Sequence, residues 1–326
     1  TYIFFSHTYK LNTKTLTNAQ GTPGMDKKEL LKAIIQKKIK LIDYENIRDK
    51  NGYRYLGFGK FAGIVGCFNT LNLFLAHNKF MSLGRAYKIN SYQRIKNILR
   101  NMIFPKMKLL VTGDGRVAKG VLELLRETNI KQVNKDEYLT SKFDGPVFCN
   151  LQTSDYVYHS KKDTFDLSHF INFPNEYYSS ALPYLEISNV FISAHYWDPS
   201  SPKIFEQNQI NQLTKLQVIG DITCDVDGSI PTTIKSTSIK YPNFYLDKKT
   251  NKESKNIQNN LSIMAVDNLP SELPRESSLE FGDGIVEFVL PFLIEKDDGR
   301  ILNATITENG YFLEKYNYLE NYINLE

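Results

Sequence analysis

Cysteine is scarce in this sequence. Cys67, Cys149 and Cys224 are odd in number and far apart, so they make neither a disulfide framework nor the paired CxxC spacing of a zinc site. Such usage suits a reducing compartment, and a cytoplasmic location is expected. No apolar run approaches the roughly 18 residues that span a bilayer, and no basic-then-apolar leader opens the chain; no membrane partner is expected. Charge of one sign is also lacking. Forty Lys and Arg against 36 Asp and Glu leave +4, without the dense cationic stripe or aromatic–basic platform of a nucleic-acid binder, so no nucleic-acid partner is expected. What is present is 41% hydrophobic and 13% aromatic residues in a chain of 326, enough for a large core and about two domains.

The first residue is Thr, and Thr1–Phe5 already reads as a strand, so the chain is expected to begin in mid-structure. Asp26 and Glu29 have capping-box spacing ahead of Leu30, Leu31, Ile34 and Ile35, which recur at helical intervals. Lys40–Glu45 reads as a strand, and Asn51-Gly52 as a tight turn leading to Tyr53–Gly57. A glycine-rich run, Phe58–Gly66, precedes a long helical stretch from about Asn69 to Met102, closed by Pro105. Six β-rich runs then alternate with helical or loop stretches: Lys108–Thr112, Lys131–Val133, Val147–Asn150, Val190–Ala194, Leu216–Asp221 and Ile263–Asp267. That is the requirement of a doubly wound parallel sheet. Asp247–Asn260 is polar and charged and reads as a surface loop; a helix from about Ser277 to Ile294 and a strand at Ala304–Thr307 follow. Such a tail could return to the first segment and make that domain discontinuous.

The most informative motif is Leu109–Gly120, LLVTGDGRVAKG. An apolar strand runs into Gly113-x-Gly115-x-x-Ala118, and an apolar helix face follows. A dinucleotide pyrophosphate must approach bare backbone, and the helix start behind the turn offers unpaired N–H groups. Arg116 stands at that start. The ribose-binding group is expected at the end of the second strand, where Asn134, Lys135 and Asp136 fall; these leave NAD and NADP both open. His7 and Lys10 are spaced for proton transfer or for a solvated loop; Arg54 could grip a substrate carboxylate and Glu45 tune a basic neighbour, or both could be surface ion pairs. Asp267 and Asn268 follow a strand in the rigid, twice LP-bearing segment Ala265–Ser278, which puts them near a cofactor. Ala194–Pro199 also follows a strand, offering Tyr196 as a substrate-side group and Trp197 as a packing residue. Asp221–Ser229 lacks the later glutamate of a calcium loop, and no metal is expected.

Five segments in order, Phe5–Lys10 (FSHTYK), Lys40–Glu45 (KLIDYE), Gly57–Gly66 (GFGKFAGIVG), Gly220–Ser229 and Ala265–Ser278, resemble the lysine-forming saccharopine dehydrogenases. The likeness is strongest to the lysine–2-oxoglutarate reductase branch, within the wider alanine dehydrogenase and transhydrogenase fold group. The resemblance implies an α/β protein in which a Rossmann doubly wound parallel sheet is inserted into a discontinuous α/β substrate domain. The substrate domain would take 1–100, the dinucleotide domain 105–275, and 276–326 would return to the first. It implies an NAD(P)-dependent amino-acid dehydrogenase acting on CH–NH bonds, joining lysine to 2-oxoglutarate to form saccharopine or running that reaction backward. The implied partners are these small molecules; oligomeric state stays open.

Carried over by position, His7 falls on the family's acid–base histidine, Lys10 on a nearby substrate-side lysine, Glu45 on the glutamate that tunes the site, and Arg54 on an arginine by the carboxylate pocket. Gly113, Gly115 and Ala118 fall on the pyrophosphate turn, and Asp267, Asn268 and Leu269 on the loop at the nicotinamide end. The family also has a catalytic lysine upstream of its histidine, and six residues precede His7 here, so an incomplete partner domain is expected. Where the reductase branch often reads Gly-Ser-Ile-Glu, this chain has Gly228-Ser229-Ile230-Pro231. An alanine-dehydrogenase-like activity and a catalytically inactive NAD(P)-binding module stay open beside the leading reading.

Overall fold

Leu41 and Ile42 are successive, fully buried residues of one short strand, and successive strand residues face opposite sides of a sheet. This strand must therefore be covered on both faces. The computed structural model describes residues 1–9, 27–50, 52–162, 164–257 and 259–324; Lys10, Asp26 and Asn51 lie outside the described residues. The chain forms two compact units, Thr1–Phe58 with Ser278–Glu326, and Gly59–Ser277.

In chain order, β1 (Tyr2–Phe4), α1 (Lys27–Gln36) and β2 (Leu41–Asp43) come first. Helices α2 (Gly59–His77), α3 (Ala86–Ile89) and α4 (Tyr92–Arg100) lead to β3 (Lys108–Thr112), α5 (Arg116–Leu125), β4 (Lys131–Gln132), α6 (Lys135–Thr140) and β5 (Val147–Leu151). Then follow α7 (Thr153–Tyr156), β6 (Val157–His159), α8 (Leu167–Asn172), β7 (Tyr177–Ser179), α9 (Leu182–Glu186) and β8 (Val190–Ser193). Strands β9 (Val218–Asp221), β10 (Asn243–Asp247), β11 (Lys252–Ser254) and β12 (Leu261–Met264) complete the central region. The chain closes with α10 (Pro274–Phe288), α11 (Leu290–Ile294), α12 (Arg300–Ala304), β13 (Thr305–Glu308), β14 (Tyr311–Phe312) and α13 (Tyr318–Asn324).

The first unit holds a sheet of order β1-β2-β13-β14. Leu41 joins Leu31, Ile34 and Leu319 on one face, and Ile42 joins Ile47, Leu56 and Ile301 on the other. Both chain ends are needed for either layer. Burial of each such side chain is worth about 1.5–3 kcal/mol, so the discontinuous pairing is what makes the unit stable.

The second unit is built on a sheet of order β11-β10-β12-β9-β8-β3-β5-β4. The six strands from β12 to β4 are parallel, and each overlaps one of the six β-rich runs, β12 beginning two residues before its run and ending within it. The polar stretch 247–260 differs from the surface loop expected of it: it turns β10 back into β11 as an antiparallel hairpin on the sheet edge. Helix α5, after β3, packs Val121 and Leu124 with Leu109 and Val111 on one face. The segments after β5 and β8 pack Tyr156 and Ile210 with Leu110 on the other. The chain thus changes face at the carboxyl end of β3, the place where open α/β sheets bind ligands.

Two expectations about residues 59–102 are corrected. The glycine-rich run does not precede a helix; it opens α2, and the stretch to Met102 is broken after His77 before resuming as α3 and α4. Asn90, left-handed at φ 50°, ends α3. Helix α2 packs on α5 and β9, so 59–100 groups with the sheet unit, whereas the sequence reading set it in the substrate domain. Among the described residues α2 is also long and apolar enough, by length and composition, to cross a membrane, although no run was expected to reach that length; with 72% of its apolar window buried it is a core helix.

Glycine lets α2 and α5 touch backbone to backbone. A Cβ at Gly63 would lie 2.0 Å from the Val117 carbonyl oxygen, and one at Gly120 the same distance from that of Lys60. Gly120→Ala is therefore expected to cost about 3 kcal/mol or more, read as a lowered urea midpoint; an unchanged midpoint would show that the helices can separate freely.

Candidate functional site

In the first unit, Asp43 organises the turn after β1. It is fully buried; its Oδ2 accepts from the backbone N–H of Ser6 at 3.1 Å and of His7 at 3.0 Å, and its Oδ1 from that of Glu45 at 2.8 Å. These bonds hold His7 in the left-handed region at φ 54°, which histidine visits more readily than most residues. The side chain is aimed as a result. His7 Nδ1 donates to Glu45 Oε2 at 2.8 Å, and Arg54 Nη2 donates to Glu45 Oε1 at 2.6 Å. Glu45 is 4% exposed at its side chain, His7 39% and Arg54 37%, so the carboxylate is the buried anchor and the two bases are the accessible ends. Because Nδ1 carries the proton given to Glu45, the lone pair of the neutral imidazole sits on Nε2.

Tyr9 bonds to the same carboxylate, and burial together with the Glu45 charge pushes its hydroxyl up from the ordinary range. Phe5 stacks on the His7 ring, with centroids 6.2 Å apart, and Phe58 stacks on Phe281 at 4.7 Å. One side of the histidine is therefore an aromatic wall and the other a charged, hydrogen-bonded one.

In the second unit, the turn after β3 is shaped by glycine. Gly113 has φ 115°, and a Cβ there would meet the Ala194 carbonyl oxygen at 2.5 Å. Its N–H donates to Leu151 O at 2.9 Å. Gly115 caps α5 and has nothing within 4 Å of a Cβ position, leaving open space over the helix start; Arg116 is the first helical residue. Ala118 is buried in the core against the sheet. The strand beside β3 is β5, whose Asn150 donates from Nδ2 to Gly113 O at 3.2 Å. Asn150 Oδ1 is buried without a hydrogen-bond partner among the described residues. Bare backbone, a helix start and an unsatisfied acceptor together fit a dinucleotide: Gly113, Gly115 and Arg116 would hold the pyrophosphate and Asn150 a ribose hydroxyl.

The strand order places Asn134 and Lys135 away from the glycine turn. The second strand in chain order, β4, is at the sheet edge, one strand removed from β3. Asn134 spends its carboxamide capping α6 through the Glu137 N–H, and Lys135 pairs with Asp155 at 2.6 Å. Tyr196 is 87% exposed and, among the described residues, joins neither hydrogen-bonded network. Leu269 is buried and packs near Gly66, and Asn268 begins the turn Leu269–Glu272. Asp267 N–H donates to Thr237 O at 3.2 Å, which fixes the start of that loop just beyond β12.

Two polar residues at the strand ends escaped the sequence reading. His195 lies beyond β8, bridging Thr112 Oγ1 at 2.8 Å and Ser229 Oγ at 3.0 Å. Asp221 ends β9 and gathers the hydroxyls of Ser193, Thr223 and Thr233; burial pushes its carboxyl up. Each directly follows an apolar run at a strand's carboxyl end, and that was the available signal. Burial pushes His195 from 6.5 down to about 4. The unfolded chain thus takes up a proton that the folded chain refuses. Stability fully present above pH 6.5 is lost as the pH falls toward about 4, by roughly 3 kcal/mol. His195→Gln should flatten that part of the melting temperature against pH curve; an identical curve would place the loss elsewhere.

His159, His169 and Glu176 bring donor atoms within 4.8 Å of one another. The Lys161 N–H donates to His159 Nδ1 at 2.9 Å, so His159 Nε2 carries the proton it gives to Glu176 at 3.0 Å. A metal would need a ring lone pair, and of the two nitrogens Nε2 is protonated and Nδ1 is already accepting. The group braces the β6–β7 hairpin.

No family model matches the chain. The mitochondrial alpha-aminoadipic semialdehyde synthase of Rattus norvegicus is 26% identical over 98% of this chain, and the chain spans 39% of that protein's length. The saccharopine dehydrogenase [NAD(+), L-lysine-forming] of Schizosaccharomyces pombe is 25% identical over 89% of this chain and 69% of its own length. A solved L-alanine dehydrogenase superposes with a TM-score of 0.53 over 90% of this chain and 72% of its own, at 12% identity, a likeness of fold. With an α/β architecture carrying a parallel sheet and relatives of these kinds, the chain resembles the lysine-forming saccharopine dehydrogenase family of oxidoreductases over nearly its whole length.

Proposed function

We propose that the chain is an NAD(P)-dependent oxidoreductase of the lysine-forming saccharopine dehydrogenase type, interconverting lysine plus 2-oxoglutarate with saccharopine. The observation that carries this reading is the buried Glu45 carboxylate shared by His7 and Arg54. Joining an amine to a keto carbon requires a proton to leave the amine and water to depart, so a positioned base that can return its proton is needed. His7 Nε2 is that group: Glu45 holds the ring's tautomer and orientation, and supports the imidazolium when Nε2 takes up a proton. Arg54 pairs with Glu45 and presents the rest of its guanidinium to a substrate carboxylate. Lys10, adjacent in sequence, is proposed on the substrate side. The aromatic wall of Phe5, Tyr44, Phe58 and Phe281 sheds water from one face of the imidazole. A bound nicotinamide dinucleotide supplies or accepts the hydride. Gly113, Gly115, Arg116 and Asn150 would hold it, and the Asp267–Leu269 loop would face its nicotinamide end. Three free cysteines support a reducing, cytoplasmic setting.

The test is dinucleotide turnover with defined substrates. NADH or NADPH oxidation should require lysine and 2-oxoglutarate together; oxidation with pyruvate and ammonium would favour an alanine-dehydrogenase-like activity, and dinucleotide binding without any turnover an inactive module. His7→Gln should lower kcat by about 10²–10⁴-fold while dinucleotide affinity stays near normal. Unchanged kcat would remove His7 from the proton-transfer role.

A further inference from the structure

We propose that the second unit carries a separate binding site for a small oxyanion, a phosphate ester or a polycarboxylate, in a cavity at the amino ends of β9 and β12. The cavity, about 630 Å³, is lined by His77, Thr214, Gln217, Lys248, Lys249 and Asn260 among others. The site lies at the opposite end of the parallel strands from the Gly113 turn, since Gln217 precedes β9 and Asn260 precedes β12 while Gly113 follows β3. Its volume falls within the usual range for small-molecule sites, but its walls are polar where such sites are mostly apolar.

Lys248 sets the chemistry. Its Nζ donates to the Leu213 and Leu216 carbonyl oxygens, each at 2.6 Å, which uses two of the ammonium's three donors. Among the described residues no carboxylate pairs with it or with Lys249. Asp247, also at the wall, has its Oδ1 occupied by the backbone N–H groups of Lys249 and Thr250, at 2.8 and 3.3 Å. A half-buried cation without a counter-charge is costly, and burial accordingly draws Lys248 down to about 8, which still leaves it mostly protonated at neutral pH. Its charge reaches His77, whose ring bonds to Ser262 Oγ at 2.9 Å and is held below its ordinary range by burial and by Lys248. Lys248, with one donor left over, and Lys249 beside it outnumber the single wall carboxylate, Asp247, and favour a ligand that brings negative oxygens. A neutral ligand would leave the charge uncompensated.

The chain has five histidines, so the His77 ring can be followed by NMR and assigned with His77→Gln. Inorganic phosphate and citrate are titrated separately into the full chain at constant ionic strength, with chloride as the control. Saturable movement of the His77 resonance, with its titration midpoint shifting upward as the anion offsets Lys248, supports the site; a response to only one of the probes names the source of the oxyanion. Lys248→Met should weaken binding at least about tenfold. Lys249→Gln leaves the Lys248 carbonyl bonds intact and should weaken it several-fold, which keeps the test decisive if Lys248→Met does not fold. A His77 resonance that moves no more than with chloride, or binding unaffected by Lys249→Gln and by a folded Lys248→Met, would overturn the proposal and leave Lys248 as a closing bond for the 3-10 turn Gln207–Gln212.

Discussion

A methyl group added at Gly115 is expected to weaken dinucleotide binding about 100-fold, near 3 kcal/mol, while the stability of the protein stays essentially unchanged. The position separates folding from binding. Gly115 has φ −78°, a value open to any residue, and among the described residues nothing beyond its chain neighbours lies within 4 Å of where the methyl would sit. The folded chain therefore has no reason to need glycine there. A pyrophosphate approaching the start of α5 does, because it must reach the backbone N–H groups directly. Gly113 makes the contrast: its φ of 115° and the 2.5 Å approach to the Ala194 oxygen mean that Gly113→Ala would distort the turn itself. The measurements are fluorescence titration with NADH and NADPH, and thermal unfolding of the same Gly115→Ala sample. Undiminished affinity would mean that the dinucleotide does not lie over this turn.

The second large effect is expected at Glu45. Glu45→Ala should reduce kcat by about 10³-fold with dinucleotide affinity unaltered, since the glycine turn is built from other residues entirely. Glu45 makes a 2.8 Å bond to His7 Nδ1 and a 2.6 Å bond to Arg54. Without it the imidazole loses both its tautomer and its orientation, and Arg54 loses its anchor. Glu45→Gln keeps an acceptor for Nδ1 but removes the charge that supports the imidazolium, so it should recover only part of the loss. Steady-state kinetics with lysine and 2-oxoglutarate decide this. Turnover of Glu45→Ala equal to that of the parent chain would remove the His7–Glu45 pair from the chemistry.

Much of this molecule was legible locally. The strand–glycine–helix motif at Leu109–Gly120 and the six β-rich runs stand in the folded sheet because strand propensity and turn chemistry act within a few residues. The segments bearing His7, Glu45 and Arg54 could be singled out from residue type and from resemblance, but not joined. The bond between His7 and Glu45 spans 38 residues of chain, and only the shared buried Asp43 shows how the two are held in register. The glycines of Gly57–Gly66 were visible as a run and opaque in purpose. Gly63 serves a contact with a helix some fifty residues onward, which no local periodicity reports.

The sequence by itself determined the six parallel strands, the glycine turn and the parallel α/β class, all of which follow from backbone freedom and hydrophobic spacing along the chain. Tertiary structure alone decided which strand lies next to β3. Because β5 takes that place and β4 the edge, Asn150 rather than Asn134 reaches the turn at Gly113, and His195 and Asp221 become buried polar groups at neighbouring strand ends. The physical reason is that strand order is set by which apolar faces α5, α6 and α9 can cover together, a balance of burial over distant parts of the chain that no short stretch of residues contains.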